Sequence, residues 1–243
     1  MTSADIEDLT IKPRDIRDEA ITSPKINDGA VRENDLNASV SSKLGYTGEQ
    51  WSIVDRNVIG NGDAYLRAGP SAAGSTPPSG VGSLGLRTGT PDDKAAFGNQ
   101  TDFAGDPLSD YSTVKYSVFT TGENRDKSPE NLPNVQFEVN PHTTRSFSTL
   151  TFAPEAQDPG WHEIDASTAK RWYYTGTFGA ESVCNQASYC TLDEAKAAAP
   201  EATIYTVQFS KGRDNAFSGA VDKLTLNSTT YDFEPTGVRE VQN

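Results

Sequence analysis

The sequence predicts a mostly β protein, in which an extended repetitive stalk precedes one antiparallel β-sandwich with a single short helix. Three observations support this fold class. Gly (20) and Pro (14) are plentiful and spread along the 243 residues, as in β proteins with many turns. Apolar residues recur every five positions near the N-terminus, and alternating strand patterns begin at Trp51. We therefore assign residues 1–44 to the stalk, 45–50 to a hinge and 51–243 to the sandwich.

The five-residue spacing is the strongest signal in the stalk. It matches neither the helix period of 3.6 nor the strand period of 2, so each unit must contain a bend. One apolar side chain in five cannot be buried within a single chain, and partner chains must supply the remaining walls. We expect a homotrimer with these residues at its centre. The predicted oligomerisation core is Ile6, Ile11, Ile16, Ile21, Ile26, Val31 and Leu36.

Two other interpretations of the stalk remain open. A segment with so few apolar residues is also compatible with a disordered acidic leader that adheres to another protein. A folded pentapeptide β-helix is the second alternative, although so few units would form barely two coils.

Eleven segments of the sandwich have strand patterns separated by turn residues. Alternation is clearest in 114–120 and 135–139, where one face is apolar and the other polar. A helix is predicted over 191–199, because Thr191 and Glu194 form a capping box and Pro200 ends it. Residues 69–80 are predicted to be a loop. The predicted strands are 52–57, 64–68, 83–88, 113–120, 135–140, 146–152, 161–166, 171–177, 203–210, 221–226 and 230–233.

The net charge argues against two classes of partner. The chain has 34 Asp and Glu against 21 Lys and Arg, a formal charge of −13, which would repel both nucleic acid and anionic lipid. No apolar run of about 18 residues and no secretory leader pattern occurs. We therefore expect synthesis in the cytoplasm without a signal peptide, and neither a nucleic-acid nor a membrane partner.

One repeat unit carries a resemblance to a known class of protein. The segment from Ala20 to Val31 reads Ala-Ile-Thr-Ser-Pro-Lys-Ile-Asn-Asp-Gly-Ala-Val, and it resembles the short repeats of head-fibre and tail-fibre proteins of phages that infect Actinobacteria. The segments 83–88, 92–99 and 231–235 are similar to jelly-roll domains related to carbohydrate-binding modules. The resemblance implies a virion surface component, with the major capsid protein or other virion proteins as partners.

Exposed aromatic rings and polar groups could bind host-surface glycan, because aromatic rings stack on the apolar faces of sugars. Alternation over 171–175 places Trp172 and Tyr174 on one face and Tyr173 on the other, so core packing is the competing interpretation for each ring. The polar segment at 212–215 could complete such a site. The candidates are Trp161, Trp172, Tyr173, Tyr174 and Arg213.

The two cysteines, Cys184 and Cys190, are close enough in sequence to form a disulfide, with two free thiols as the alternative. No cofactor is required, although jelly-roll domains of this kind often hold a structural Ca²⁺, and solvated surface carboxylates are the competing interpretation. Its candidate ligands are Asp102, Asp106, Asp222 and Asp232.

No catalytic residue is predicted. The chain has no Gly-rich phosphate loop, zinc signature or catalytic triad order. With the virion surface component that the resemblance implies, the expected function is a non-enzymatic structural protein of a virion surface, a minor capsid, decoration or head-fibre protein. The alternatives are a tail-fibre protein that recognises host carbohydrate and, third, a glycan-degrading enzyme.

Overall fold

The computed structural model describes residues 50–72, 74–127 and 132–242. The predicted stalk, its seven apolar core residues and nearly all of the predicted hinge lie outside these ranges. The described chain is mostly β, with two antiparallel sheets and three short helices, which agrees with the predicted fold class for the sandwich.

The first sheet has six antiparallel strands in the spatial order β1-β4-β10-β6-β7-β9. Alternation places the apolar residues of these strands toward the core and the polar residues outward, as in the β6 sequence Asn-Val-Gln-Phe-Glu-Val-Asn. The strands are β1 (Trp51–Ile53), β4 (Ala95–Asn99), β6 (Asn134–Asn140), β7 (Ser148–Phe152), β9 (Trp172–Tyr174) and β10 (Thr203–Lys211).

The second sheet has seven strands and is branched. They are β2 (Asp63–Ala68), β3 (Gly82–Thr88), β5 (Val114–Thr120), β8 (Gly160–Asp165), β11 (Phe217–Leu226), β12 (Thr229–Glu234) and β13 (Gly237–Gln242). The long strand β11 pairs with β5, and it also pairs with β3 over 217–221 and with β12 over 224–226. The branch therefore lies at Asp222 and Lys223, where a bulge interrupts β11.

Aromatic side chains join the two sheets across the core. The ring of Phe209 lies 5.2 Å from that of Tyr116 and 5.9 Å from that of Phe233. Trp51 lies 5.0 Å from Tyr231. Because each of these contacts links one sheet to the other, the sheets pack face to face as in a β-sandwich.

The predicted helix is present as α3 (Leu192–Ala198), with the capping box of Thr191 and Glu194 formed as expected. Two further helices, α1 (Gly122–Lys127) and α2 (Gly176–Glu181), were not predicted. Each spans six residues, and neither has an apolar period that distinguishes it from a turn. Within the described residues, no helix is long and apolar enough to cross a membrane.

All eleven predicted strands have a counterpart, but two observed strands were missed. Strand β4 has the sequence Ala-Ala-Phe-Gly-Asn, and Ala and Gly have low strand propensity. Its Gly98 is required by packing, because a Cβ there would lie 2.4 Å from the Val207 carbonyl oxygen. Strand β13 was missed at the C-terminus. The predicted first strand is shorter than expected because Asp55–Asn57 forms a 3₁₀-helix.

Candidate functional site

A row of side chains crosses all six strands of the first sheet on the side that faces away from the core. We call this side of the sheet the outer face. The strand registers place one residue of each strand directly opposite the next, and the amides of Gln208 and Gln136 are hydrogen-bonded at 2.8 Å. In spatial order, the row consists of Ser52, Gly98, Gln208, Gln136, Thr151 and Tyr173.

A charged group lies beside this row. Glu138 is paired across the strands with Thr206 and Thr149, and its carboxylate forms a salt bridge with Arg56. Asn57 donates hydrogen bonds to Glu138 Oε1 at 2.7 Å and to Gln208 Oε1 at 2.9 Å. The 3₁₀-helix at 55–57 therefore places a guanidinium and an amide on the outer face.

Several outer-face side chains are buried although they point away from the core. Gln208 is 1% exposed and Glu138 2%, so the polar surface is recessed among its neighbours. The hydroxyl oxygens of Thr151 and Ser210 are buried without a hydrogen-bond partner in the described part of the chain. A buried polar group normally has a partner, and an orphaned one calls for water or a ligand. The outer face therefore has unused hydrogen-bonding capacity.

Two pairs of stacked aromatic rings lie on the same sheet as the polar row. Tyr173 and Tyr189 stack at 5.4 Å with an interplanar angle of 19°, and the Arg171 guanidinium lies 5.3 Å from the Tyr189 ring centre. Phe147 and Tyr205 stack at 6.4 Å and 16°, and they are 53% and 40% exposed. These rings offer flat apolar surfaces next to polar groups.

Local structure holds each aromatic pair in place. Tyr189 belongs to the loop closed by the disulfide between Cys184 and Cys190, and the Cys190 backbone exchanges hydrogen bonds with Trp172 at 2.9 and 2.8 Å. Tyr205 lies at a bulge in β10, and its hydroxyl donates to the Ser146 carbonyl at 3.1 Å. Contacts with the backbone therefore fix the loop that carries Tyr189 and the side chain of Tyr205.

An open cavity of about 460 Å³ lies beside Phe147. Its lining combines hydroxyl groups with one aromatic ring and one guanidinium, that of Arg145, which pairs with Glu181. Ligand pockets in proteins are usually about 300–1,000 Å³. The cavity lies between the ends of β7 and β9, and it is lined by Thr144, Arg145, Phe147, Ser148, Thr175 and Thr177, among others.

The structure separates the predicted glycan-binding residues. Trp172 and Tyr174 are 0% and 1% exposed in the core, so they have no surface for a sugar, and we correct both assignments. Trp161 lies in the other sheet, where its Nε1 donates to the Pro70 carbonyl at 2.9 Å and anchors the predicted loop. Tyr173 lies on the outer face, and Arg213 is exposed in the turn between β10 and β11.

The predicted Ca²⁺ ligands do not form one cluster. Asp102 accepts a hydrogen bond from Asn99 Nδ2 at 2.7 Å, and Asp106 accepts one from the Tyr111 hydroxyl at 2.7 Å. Asp222 and Asp232 are buried at the branch of the second sheet. No group of three or more His, Cys, Asp or Glu side chains among the described residues is arranged to hold a metal ion. The predicted set of four ligands is therefore not supported.

Several outer-face residues were missed from the sequence. Gln136, Glu138 and Gln208 occupy the polar positions of clearly alternating strands, and that alternation was a usable signal. Phe147 and Tyr205 had no such signal, because their stacking depends on a bulge and on the pairing of β6 with both β7 and β10.

No protein-family model matches the chain, and no curated protein matches it in sequence.

Proposed function

We propose that the protein is a non-enzymatic structural protein of a phage virion surface, a minor capsid, decoration or head-fibre protein. Residues 1–44 assemble three copies and anchor them to other virion proteins. A jelly-roll sandwich is displayed outward and binds glycan through its outer face. The stalk repeat and the resemblance of 20–31 to phage fibre repeats support the virion part.

The observation that carries the glycan-binding part is the polar row across six strands, with one stacked aromatic pair at its β9 end and a second pair formed by Phe147, just before β7, and Tyr205 in β10. Sugars present hydroxyl groups around the ring edge and apolar C–H groups on the ring face. Amides and carboxylates match the hydroxyls, and aromatic rings match the C–H faces. The outer face supplies both kinds of group on rigid strands, which favours recognition over flexible, nonspecific contact.

The glycan-binding proposal predicts a specific loss of affinity in two single variants. Tyr173→Ala and Phe147→Ala should each weaken binding to actinobacterial cell-wall polysaccharide about tenfold, or ~1.4 kcal/mol. Isothermal titration calorimetry with the full chain measures this. The matched control is Tyr65→Ala, an exposed ring on the second sheet, which should bind like the wild type. Equal affinity in all three variants would refute the outer face as the binding surface.

The stalk proposal predicts a trimer of the 26.1 kDa chain. Light scattering of the full chain should give three times the monomer mass. Placing a charge in the stalk core with Ile16→Asp and Ile21→Asp should dissociate it, because buried unpaired carboxylates are strongly unfavourable. Thr22→Asp, outside the five-residue spacing, should remain trimeric. A wild-type protein that is monomeric at all concentrations would contradict the proposal.

The same outer face also favours a second candidate, a tail-fibre protein that recognises host carbohydrate as a receptor. The exposed rings of Phe147 and Tyr205 are the observation behind it, since a purely structural decoration has no need of them. Antibody labelling of intact particles distinguishes the two. Label on the head supports the first candidate, and label at the tail tip supports the second.

A further inference from the structure

Two cationic side chains lie together at one end of the outer face. Lys94 directly precedes β4, and its backbone exchanges hydrogen bonds with Ile59, both at 2.9 Å. Alternation along β4 places Lys94 on the same side as Ala96 and Gly98. Ala96 pairs with Ser210, whose buried hydroxyl has no partner among the described residues. Lys94 is half-buried, and it lies on the same face as the unpartnered Ser210 hydroxyl.

Arg213 is brought to Lys94 by a close backbone contact. Gly212 packs so tightly that a Cβ there would lie 2.1 Å from the Asp93 carbonyl oxygen and 2.9 Å from Lys94 Cα. The next residue, Arg213, is exposed. Burial lowers the pKa of the Lys94 ammonium group, the charge of Glu138 raises it, and the charge of Arg213 lowers it again. The charges of the two side chains therefore oppose each other.

Three carboxylates near the two cations are engaged by other groups. Asp93 accepts backbone hydrogen bonds from Asn61, Gly89 and Thr90 at 2.9, 3.0 and 2.9 Å. Asp214, next to Arg213 in sequence, forms a salt bridge with Lys211.

A third carboxylate, that of Glu138, is bound by Arg56 and Asn57. Neither Lys94 nor Arg213 forms a salt bridge or side-chain hydrogen bond with another described residue. Two adjacent cations without a salt-bridge partner among the described residues, in a chain of net charge −13, match an anionic ligand.

We propose that Lys94 and Arg213 bind the anionic group of an acidic glycan, a carboxylate or phosphate carried by a sugar, while the polar rows bind its hydroxyls. This inference rests on the proposed glycan-binding function and names its ligand class. Lys94 supplies a point charge and Arg213 a planar fork with several donors. The charge of the cation pair also implies that affinity falls as salt concentration rises.

The test compares glycans that differ in charge alone. Oligogalacturonate and alginate oligosaccharides represent the carboxylate, and a mannose 6-phosphate oligosaccharide represents the phosphate. The carboxyl-reduced form of each uronate and the dephosphorylated form of the mannose 6-phosphate oligosaccharide provide neutral ligands with the same linkages. Binding to the full chain is measured by calorimetry at 50 and 500 mM NaCl. We expect at least one anionic oligosaccharide to bind about tenfold more tightly than its neutral counterpart, with the difference shrinking in high salt.

Variants assign the effect to the two cations. Lys94→Gln and Arg213→Gln should each weaken binding of the anionic glycan about tenfold and leave binding of its neutral counterpart unchanged. Lys115→Gln, on the second sheet, is the matched control and should behave like the wild type. Circular dichroism checks that each variant is folded.

The outcomes separate this inference from the proposed function. Equal affinity for charged and neutral forms, or no effect of the Lys94 and Arg213 substitutions, would overturn the acidic-glycan inference while glycan binding stands. The same holds for a protein that binds cell-wall polysaccharide but none of the anionic oligosaccharides. If neither Tyr173→Ala nor Phe147→Ala weakens binding to cell-wall polysaccharide, the proposed function is overturned instead.

Discussion

Replacing Trp172 with alanine should lower the free energy of unfolding by about 4 kcal/mol, because it empties a large volume in the core. The Trp172 side chain is fully buried. Its ring lies 5.2 Å from that of Phe152 and 5.9 Å from that of Phe137, and its Nε1 donates to the Ala166 carbonyl at 2.7 Å. Alanine therefore loses the packing and leaves a buried carbonyl without its donor. Urea unfolding followed by circular dichroism measures the change.

The neighbouring Tyr173→Ala variant is the matched control, since it removes an aromatic ring from the opposite face of the same strand. Tyr173 is only half-buried, and its replacement should cost less than about 1 kcal/mol. Trp172→Ala should thus affect stability and Tyr173→Ala glycan affinity. A Trp172→Ala variant within about 1 kcal/mol of the wild type would show that the core is not packed around this ring.

Trp172 and Tyr173 show which features of the fold the sequence alone predicts. Alternation correctly placed Trp172 and Tyr174 on one face and Tyr173 on the other, because the strand period of two depends on the backbone alone. Which face was the core could not be decided locally. That choice is set by tertiary partners such as Phe137 and Phe152, and for Trp172 and Tyr174 the competing interpretation of core packing is the correct one.

The candidate site was harder to predict than the fold because it is assembled from distant segments. Helix α3 was predictable, since its capping residues Thr191 and Glu194 are local. The proximity of Lys94 and Arg213, by contrast, follows from the pairing of β4 with β10 and from Gly212. Pairings of this kind depend on sheet order, and no periodicity in a single sequence encodes that order.

Asp222 was predicted as a metal ligand, and the structure indicates a different role for its carboxyl group. It lies where β11 changes partner from β3 to β12. Its two oxygens accept backbone hydrogen bonds from Phe233 at 3.1 Å and from Ser79 at 3.2 Å. The side chain therefore binds two backbone N–H groups beside the branch. Burial, partly offset by these hydrogen bonds and reinforced by the charge of Asp232, raises the pKa of Asp222 to about 7.

This raised pKa predicts an unusual pH dependence of stability. Between the ordinary pKa of 3.8 and about 7, the folded protein holds a proton at Asp222 that the unfolded chain releases. Folding therefore takes up a proton, and the free energy of unfolding falls as pH rises, by at most ~1.4 kcal/mol per pH unit. Burial also raises the pKa of Asp232, which acts in the same direction. We expect a loss on the order of 2 kcal/mol from pH 5 to pH 7 and little further change above pH 8.

Urea unfolding at pH 5, 6, 7 and 8 measures this slope, and Asp222→Asn tests its origin. The amide cannot ionise, so the variant should retain only the smaller slope due to Asp232. It should also be less stable than the wild type at pH 5, because one of its two terminal atoms is an NH₂ donor facing a backbone N–H. Asp158→Asn, an exposed carboxylate on the surface, should keep the full slope. A slope as steep in Asp222→Asn as in the wild type would show that another group titrates. A free energy of unfolding that rises between pH 5 and pH 8 would contradict a protonated Asp222 carboxyl in the folded protein.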